Sequence, residues 1–518
     1  MQDFDAIVVG VGPTGATLAG LLAQRGLRVA AFDQLPGLYP LPRAIGFDHE
    51  TMRIVQELGI AERVLPFTAE YRPSEYRGID GGLIKRLDMA PPPHRLGWAP
   101  NYVFDQPAFE HELRRRLAEL PGVHAAYSTE VLSFVDHGDM VSIDTRAGDG
   151  RTSRFRAKYL IACDGGSSPI RKALGIELED LGFDEPWLVV DASINDDKLA
   201  ELPHTQVQYC EPERPCTFVI GPGNHRRWEI TLLPGDSLSE SFPDEELWPL
   251  LSRWIKPGDG KLRRAAAYRF HGLIARQWRK GRVLLAGDAA HMTPPFMAQG
   301  MVQGLRDAQN LAWKLARVLR GESSDALLDT YGSERRPHVE TTTRGAISLG
   351  RVICERDPVK ARERDAAMRA ESGGEIRTTI RQTMVPGLLQ GSLVSETPGA
   401  GQLCPQPRVR SADGGAALLD DLTGACVRVI SIAPLDNADA AALAEQLAPL
   451  HGRVIAVDTA APPQRCLAVQ ELQPVMRPWL HSLQRGIAIV RPDHYVYGTA
   501  ASIGEAVALL DRLRTQLD

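Results

Sequence analysis

The chain has 518 residues, 43% of them hydrophobic and 24% charged, with a formal net charge of −6. That length holds roughly two to four domains with sizeable cores. The mild acidic balance excludes an ordinary nucleic-acid binder, which carries a basic surplus. No apolar run approaches the roughly 18 residues of a membrane-spanning helix.

The N-terminus, MQDFDAIVVG, has no basic start and no long apolar stretch. It is therefore read as structure rather than a signal peptide, with the cytoplasm as the expected location. Asp5–Gly10 reads as a buried strand. Gly10-Val11-Gly12-Pro13-Thr14-Gly15 follows, then a helix over Ala16–Gln24, a stop at Gly26, a second strand over Leu27–Phe32 and an acid, Asp33. Strand, glycine turn, helix, strand and acid in this order match a dinucleotide site, with the acid about 20 residues past the first glycine. Gly10 permits the turn, Gly12 lets a pyrophosphate approach the backbone, and Gly15 lets the helix pack closely. Asp33 is placed to accept hydrogen bonds from a ribose. The pattern does not distinguish NAD from FAD.

A Pro/Gly-rich loop spans Gln34–Pro42. Arg43 follows it, as a surface charge or a cationic contact to a cofactor, and a helix runs over Asp48–Leu58. Asp105 is an N-cap and Pro107 an early position of a charged helix, Ala108–Leu120. Gln106 sits at its start, where a side chain can point to a ligand. Val131–Thr145 reads as paired strands around His137-Gly138-Asp139. Arg156–Ala162 is a strand running into Cys163-Asp164-Gly165-Gly166. Asp164 thus stands at a strand's carboxyl end, where α/β sheets bind ligands, although a plain strand-to-helix turn reads nearly as well.

From Trp187 to Leu233 the character changes. Trp187–Ile194, Thr205–Cys210, Thr217–Gly221 and Arg227–Leu233 read as antiparallel strands of a separate, inserted sheet. Val283–Ala286 returns to a buried strand, ending in Gly287-Asp288-Ala289-Ala290-His291. Thr293-Pro294-Pro295, Gln299-Gly300 and a helix from about Val302 follow. That helix carries Leu305, Ala308, Leu311 and Leu315 at a 3.6-residue period. Its N-terminal dipole favours an anionic ligand over Pro294–Gly300. His291 is read as a turn residue satisfied by backbone rather than a base.

Arg351–Gly401 reads as a connector. Val427–Ile432, Arg453–Asp458 and Ile487–Arg491 read as strands of a small terminal α/β unit, with helices near Ala438–Leu447 and Ser502–Leu513. The seven cysteines are odd in number and include no CxxC pair. Reduced thiols and no metal site are expected. The absence of CxxxxC after the first glycine motif argues against a flavin disulfide reductase.

Three motifs in this order, GVGPTG at Gly10–Gly15, CDGGSSPIR at Cys163–Arg171 and GDAAHMTPPFMAQGMVQGLRDAQNLAWKL at Gly287–Leu315, resemble the class A flavin-dependent aromatic hydroxylases. The stretches Pro42–Glu50, Tyr209–Pro215, Arg226–Gly235 and Val490–Gly498 resemble the 3-(3-hydroxyphenyl)propionate hydroxylases within that class. The resemblance covers essentially the whole chain. It implies an α/β fold: an FAD-binding Rossmann-like domain (residues 1–75, 100–180 and 275–345) with an inserted antiparallel-sheet substrate domain (76–99 and 181–274). A helical connector (346–400) and a thioredoxin-like C-terminal domain (401–518) complete it, the last structural or dimer-forming.

The same resemblance implies non-covalent FAD. Gly10, Gly12, Gly15 and Asp33 take its ADP half, Arg43 and Gln106 lie along the flavin, and Asp288 bonds the ribitol. Pro295 and Gly300 line the isoalloxazine. Asp164 belongs to a motif associated with both FAD and NAD(P)H. Ala298 stands where the family has glycine, and Val302 where it often has asparagine. With a single GxGxxG motif, NADH or NADPH is expected to dock transiently. The implied reaction is O₂-dependent hydroxylation of a phenolic acid, ortho to its hydroxyl, through a flavin C4a-hydroperoxide. The partners expected are the phenol and O₂, with a homodimer and neither nucleic acid nor membrane. Tyr209, His225 and Tyr268 are candidate catalytic residues, and Arg214 and Arg227 candidate cations for a substrate carboxylate. A hydroxylase of a larger polyketide-like phenol and a non-catalytic flavin-binding protein are the alternatives. A flavin halogenase is disfavoured because no WxWxIP motif occurs.

Overall fold

A computed structural model describes residues 2–39, 43–236, 242–371, 375–388, 391, 393–411, 414–459 and 463–518. Pro40–Pro42 of the loop read over Gln34–Pro42 lie outside them.

Strand Gln2–Val9 is central to an eight-stranded sheet, parallel to Thr152–Ala162 on one side and Val29–Phe32 on the other. Val283–Leu285 and Val123–Ala126 extend the parallel set outward. Ile7, Val8, Ala30, Ala31, Leu160, Ile161 and Leu284 are completely buried. Unbroken apolar runs of this kind suit parallel strands covered on both faces. The hairpin Thr129–Asp136 and Val141–Ala147 turns at His137–Asp139 as expected. Helices Pro13–Gln24 and Gly300–Leu319 pack against each other.

The second sheet has nine strands. Four are those read from the sequence, seen as Leu178–Ile194, Gln206–Tyr209, Cys216–Ile220 and His225–Thr231. The first begins earlier than read because it pairs along the whole of Gly260–Ala275. That partner strand was not legible: GKLRRAAAYRFHGLIA is rich in Arg and Ala, which carry little strand preference. Trp228, Phe218, Val207 and Ile230 form a core on one face, under helix Asp244–Leu251. The reading of 346–400 as a helical connector is corrected in one respect. Helices Asp329–Ile353 and Pro358–Ala370 are present, but Thr378–Ile380 joins the sheet edge beside Leu83–Asp88. A three-residue edge strand is too short to show a period.

The third sheet has seven strands, among them Arg428–Ser431, Arg453–Val457 and Ile487–Val490. Buried ionic contacts join it to the rest. Arg53 pairs with Asp420 at 2.6 Å, and Arg491 with Glu334 at 2.7 Å. Tyr495 Oη donates to Glu50 at 2.8 Å; Glu50 accepts Arg306 Nε at 2.5 Å, and Arg306 Nη1 donates to Gln299 Oε1 at 2.6 Å. A hydrogen-bonded path thus runs from the C-terminal unit to the residue that opens helix Gly300–Leu319. All seven cysteines are free thiols. No helix among the described residues is long and apolar enough to cross a membrane.

Candidate active site

The parallel strands deliver three turns to one place: Gly10 after the first, Cys163–Gly165 after the second and Gly287-Asp288 after the fourth. Gly10 has φ +94°, and a Cβ there would lie 2.2 Å from the Cys163 carbonyl oxygen. A Cβ on Gly15 would lie 1.9 Å from the Gly10 oxygen. Both positions are closed to any side chain. Gly12 differs: a Cβ there would meet no protein atom within 4 Å. The space beside it is open to a ligand.

Asp33 follows strand Val29–Phe32. Its Oδ2 accepts Val11 N–H at 2.9 Å, its Oδ1 accepts Leu35 N–H at 2.9 Å, and Arg114 lies 3.7 Å away. Asp164 accepts Ile170 N–H at 3.2 Å, while its other oxygen is buried without a partner. Burial raises its carboxyl above the usual range. Asp164 does not line the cavity described below; its neighbours Cys163 and Gly165 do.

Helices Pro13–Gln24 and Gly300–Leu319 both begin without a side-chain cap. Their first amides have no intrahelical partner, and their dipoles present positive charge. Thr14 is wedged at the crossing: a Cβ on Gly304 would come 2.1 Å from its Oγ1. Asp307 of the second helix accepts Gly287 N–H at 3.0 Å, His291 Nε2–H at 2.6 Å and Arg335 Nε–H at 2.8 Å. Burial would raise this carboxyl, but His291 and Arg335 hold it below the usual range. His291 is therefore structural, although its partner is a carboxylate and not the expected backbone group.

Gly12, Arg43, Gln106, Asp288, Pro295 and Gly300 line one cavity of about 370 Å³. Gln106 Oε1 accepts Arg43 N–H at 2.8 Å and Ala44 N–H at 2.5 Å, while its amide donates to Glu110 at 2.7 Å. The Arg43 guanidinium stacks on Tyr39 at 4.5 Å. Asp288 opens to the cavity, but the protein enclosing it raises its carboxyl above the usual range. Ala298 occupies the left-handed region at φ +53°. Val302 is fully buried.

The nine-stranded sheet forms the opposite wall. Gln208, Thr217, Val219, Arg227 and Glu229 line it. They share a face because Thr217 pairs with both Gln208 and Glu229, and Val219 with Arg227. Arg227 binds Asp191 through Nε at 2.7 Å and Nη2 at 3.1 Å. Burial pushes the Glu229 carboxyl up to about 7, although Arg227 lies 3.8 Å away. Arg381, 5% exposed, lines the same cavity with its guanidinium 4.9 Å over Tyr71. It has no carboxylate within ion-pair distance among the described residues.

Tyr209, His225 and Tyr268 do not line the cavity. Tyr209 alternates to the other face, where Trp254 Nε1 donates to its hydroxyl at 3.1 Å. His225 is bonded to Asp191 at 2.7 Å. Tyr268 lies under the Arg264 guanidinium at 4.9 Å. Arg214 pairs with Asp236 at 2.6 Å, away from the cavity, and Arg227 is held by Asp191. The sequence reading missed Gln208, Thr217, Glu229 and Arg381. Alternation of Arg227 and Glu229 with Trp228 and Ile230 was the available signal, but polar positions on a strand ordinarily mean solvent.

Two uncapped helix N-termini and the open space at Gly12 suit a dinucleotide with an anionic pyrophosphate. Fold and site together define a dinucleotide-binding protein. Residues 3–346 match the FAD binding domain family, and 401–516 the HcaD C-terminal domain. The chain is 38% identical to a probable NADH-specific resorcinol 4-hydroxylase of Rhodococcus jostii (strain RHA1), over 98% of this chain and 94% of that one. It is 32% identical to a 3-(3-hydroxy-phenyl)propionate/3-hydroxycinnamic acid hydroxylase of Klebsiella pneumoniae (strain 342), over 95% and 91%. Among solved structures, aklavinone-11 hydroxylase with FAD and aklavinone shares the fold at TM-score 0.79 and 23% identity, over 99% of both chains. The chain belongs to the FAD-binding family of class A flavin-dependent aromatic hydroxylases.

Proposed function

We propose that the protein uses NADH, or NADPH, and O₂ to hydroxylate a small phenolic acid ortho to its hydroxyl. The observation that carries this reading is the single cavity shared by the Gly12 turn, the Gly300 helix N-terminus and the polar face of the nine-stranded sheet. FAD, when bound, supplies the redox and oxygen-activating chemistry. Gly10, Gly12 and Gly15 would shape the turn that holds the pyrophosphate, with Asp33 toward the ribose and Asp164 behind the Gly165 turn. Arg43, Gln106 and Asp288 would position the flavin chain, and Pro295 and Gly300 its ring. The sheet wall would orient the phenol and exclude water.

Arg381 favours an acidic substrate, because a buried cation without a carboxylate partner gains most from an anion. The resorcinol-directed relative favours a second reading, a neutral dihydroxybenzene. That relative's stated NADH specificity supports NADH over NADPH. The reading includes a Rossmann-like FAD unit, an inserted substrate unit and a thioredoxin-like C-terminal unit in the cytoplasm. The three separate sheets support the division. A structural or dimer-forming role for the C-terminal unit agrees with its lack of a CxxC pair.

The test is anaerobic reduction of the holoprotein by NADH with and without 3-(3-hydroxyphenyl)propionate and resorcinol, followed by product analysis in air. Faster reduction and a hydroxylated product are expected with one of them. Tight FAD binding with no response to either would remove the reading.

A further inference from the structure

Glu229 is the cavity wall's one carboxylate on the substrate sheet. Its side chain is 9% exposed, and among the described residues it makes no hydrogen bond. The nearest cation, Arg227, is taken up by Asp191 on one side and by the Arg43 carbonyl oxygen on the other. Thr217 and Gln208, its neighbours across the strands, satisfy each other through a 2.6 Å hydrogen bond. The fold therefore holds Glu229 in place and leaves its carboxylate facing the cavity.

The charged and titratable groups around it come from every packed element. Arg227 shares its strand, and Asp191 and Arg264 stand on the strands beyond. Cys216 precedes its cross-strand partner Thr217. Arg43, Asp288, Tyr71 and Arg381 face it across the cavity.

We propose that Glu229 accepts the hydroxyl proton of the bound phenol, so that the ring reacts as its phenolate. This rests on the hydroxylase reading above. The phenol O–H bond breaks with its electron pair left on oxygen, and the proton forms a new bond to a Glu229 carboxylate oxygen. No electron is transferred in this step, and the proton returns to the product oxygen afterward. The consequence is chemical: charge on the phenolate oxygen enriches the ring carbon ortho to it. An ordinary carboxylate, with a pKa near 4, is poorly matched to a phenol near 10; a buried one raised toward neutrality is a better acceptor.

The experiment compares wild type, Glu229→Gln and Glu229→Asp as holoenzymes over pH 5.5 to 9, using the better of 3-(3-hydroxyphenyl)propionate and resorcinol. Wild-type kcat should fall on the acid side with a midpoint of about 7. Glu229→Gln should lose about a hundredfold in kcat, together with that acid limb. It should keep full FAD content, the sign that it folds, and release peroxide in place of product. Glu229→Asp should retain an acid limb. A Glu229→Gln enzyme matching wild type in kcat and pH profile overturns the assignment and leaves the hydroxylase reading intact. A wild-type holoenzyme that oxidises NADH but hydroxylates neither phenol overturns both.

Discussion

Arg227 Nη1 donates to the carbonyl oxygen of Arg43 at 2.7 Å, tying the nine-stranded sheet to the loop ahead of helix His49–Glu57. The same guanidinium neutralises Asp191, which has no exposed surface. Replacing Arg227 by Met leaves that carboxylate buried without its main partner. The expected loss of stability is about 3–5 kcal/mol, read from urea unfolding of the holoprotein. Asp191→Asn in the same chain should recover part of it, since the two positions share one interaction.

Gly12 and Gly304 separate ligand space from packing space. Gly12→Ala places its methyl where no protein atom stands, so the unfolding midpoint of the apoprotein should hold while FAD binding weakens by roughly tenfold or more. Gly304→Ala drives its methyl into Thr14 and should cost about 1–3 kcal/mol of stability through the helix crossing. Fluorescence titration with FAD beside chemical unfolding separates the two.

Ala298 holds a left-handed backbone that glycine adopts without strain. Ala298→Gly should leave stability unchanged or raise it by up to about 1 kcal/mol, the relief of a residue of that kind. Ala298→Val should lower it by about 2 kcal/mol, because a branched side chain fits that region worst. Thermal unfolding of the three proteins makes the comparison.

Glu334 carries a pH dependence of known sign. Burial would raise its carboxyl, but Arg491 and Lys314 depress it to about 2. Its folded pKa lies below the ordinary value of 4.5. The stabilisation is therefore complete above the unfolded pKa and is lost as pH falls from about 4.5 toward 2. The full amount is roughly 3 kcal/mol. Glu334→Gln should unfold more easily at pH 7 and show a flatter acid limb in urea midpoints measured from pH 7 to 3.

Arg381 separates the two substrate readings. Arg381→Met should raise KM for a carboxylated phenol by about tenfold or more, the scale of a lost charge-assisted contact. A neutral dihydroxybenzene should be nearly unaffected. Equal effects on both would assign Arg381 to packing on Tyr71 rather than to charge recognition.

The glycine-turn half of the cavity was legible because its residues obey local rules. A glycine turn between a buried strand and a helix, or a helix opening after Pro295, declares itself within a few residues. The sheet half was not. Glu229 and Gln208 look like solvent-facing strand positions until the sheet register brings them opposite Gly12 and Gly300. Arg381 follows an edge strand that pairs with a partner nearly three hundred residues earlier, and no window of sequence contains that pairing. Tyr209, His225 and Tyr268 lie off the cavity for a related reason: alternation turns Tyr209 to the other face, His225 is bonded to Asp191, and Tyr268 packs under Arg264.

The path from Tyr495 through Glu50 and Arg306 to Gln299 bears on how the protein is made. A nascent chain that has not yet reached Arg491 and Tyr495 leaves Glu334 and Glu50 without those partners. The contact chain behind the residue that opens helix Gly300–Leu319 is therefore completed only after Tyr495 has been made. A chain truncated ahead of Arg491 would keep Glu334 buried with Lys314 but without Arg491, and such a product is expected to be cleared rather than to accumulate.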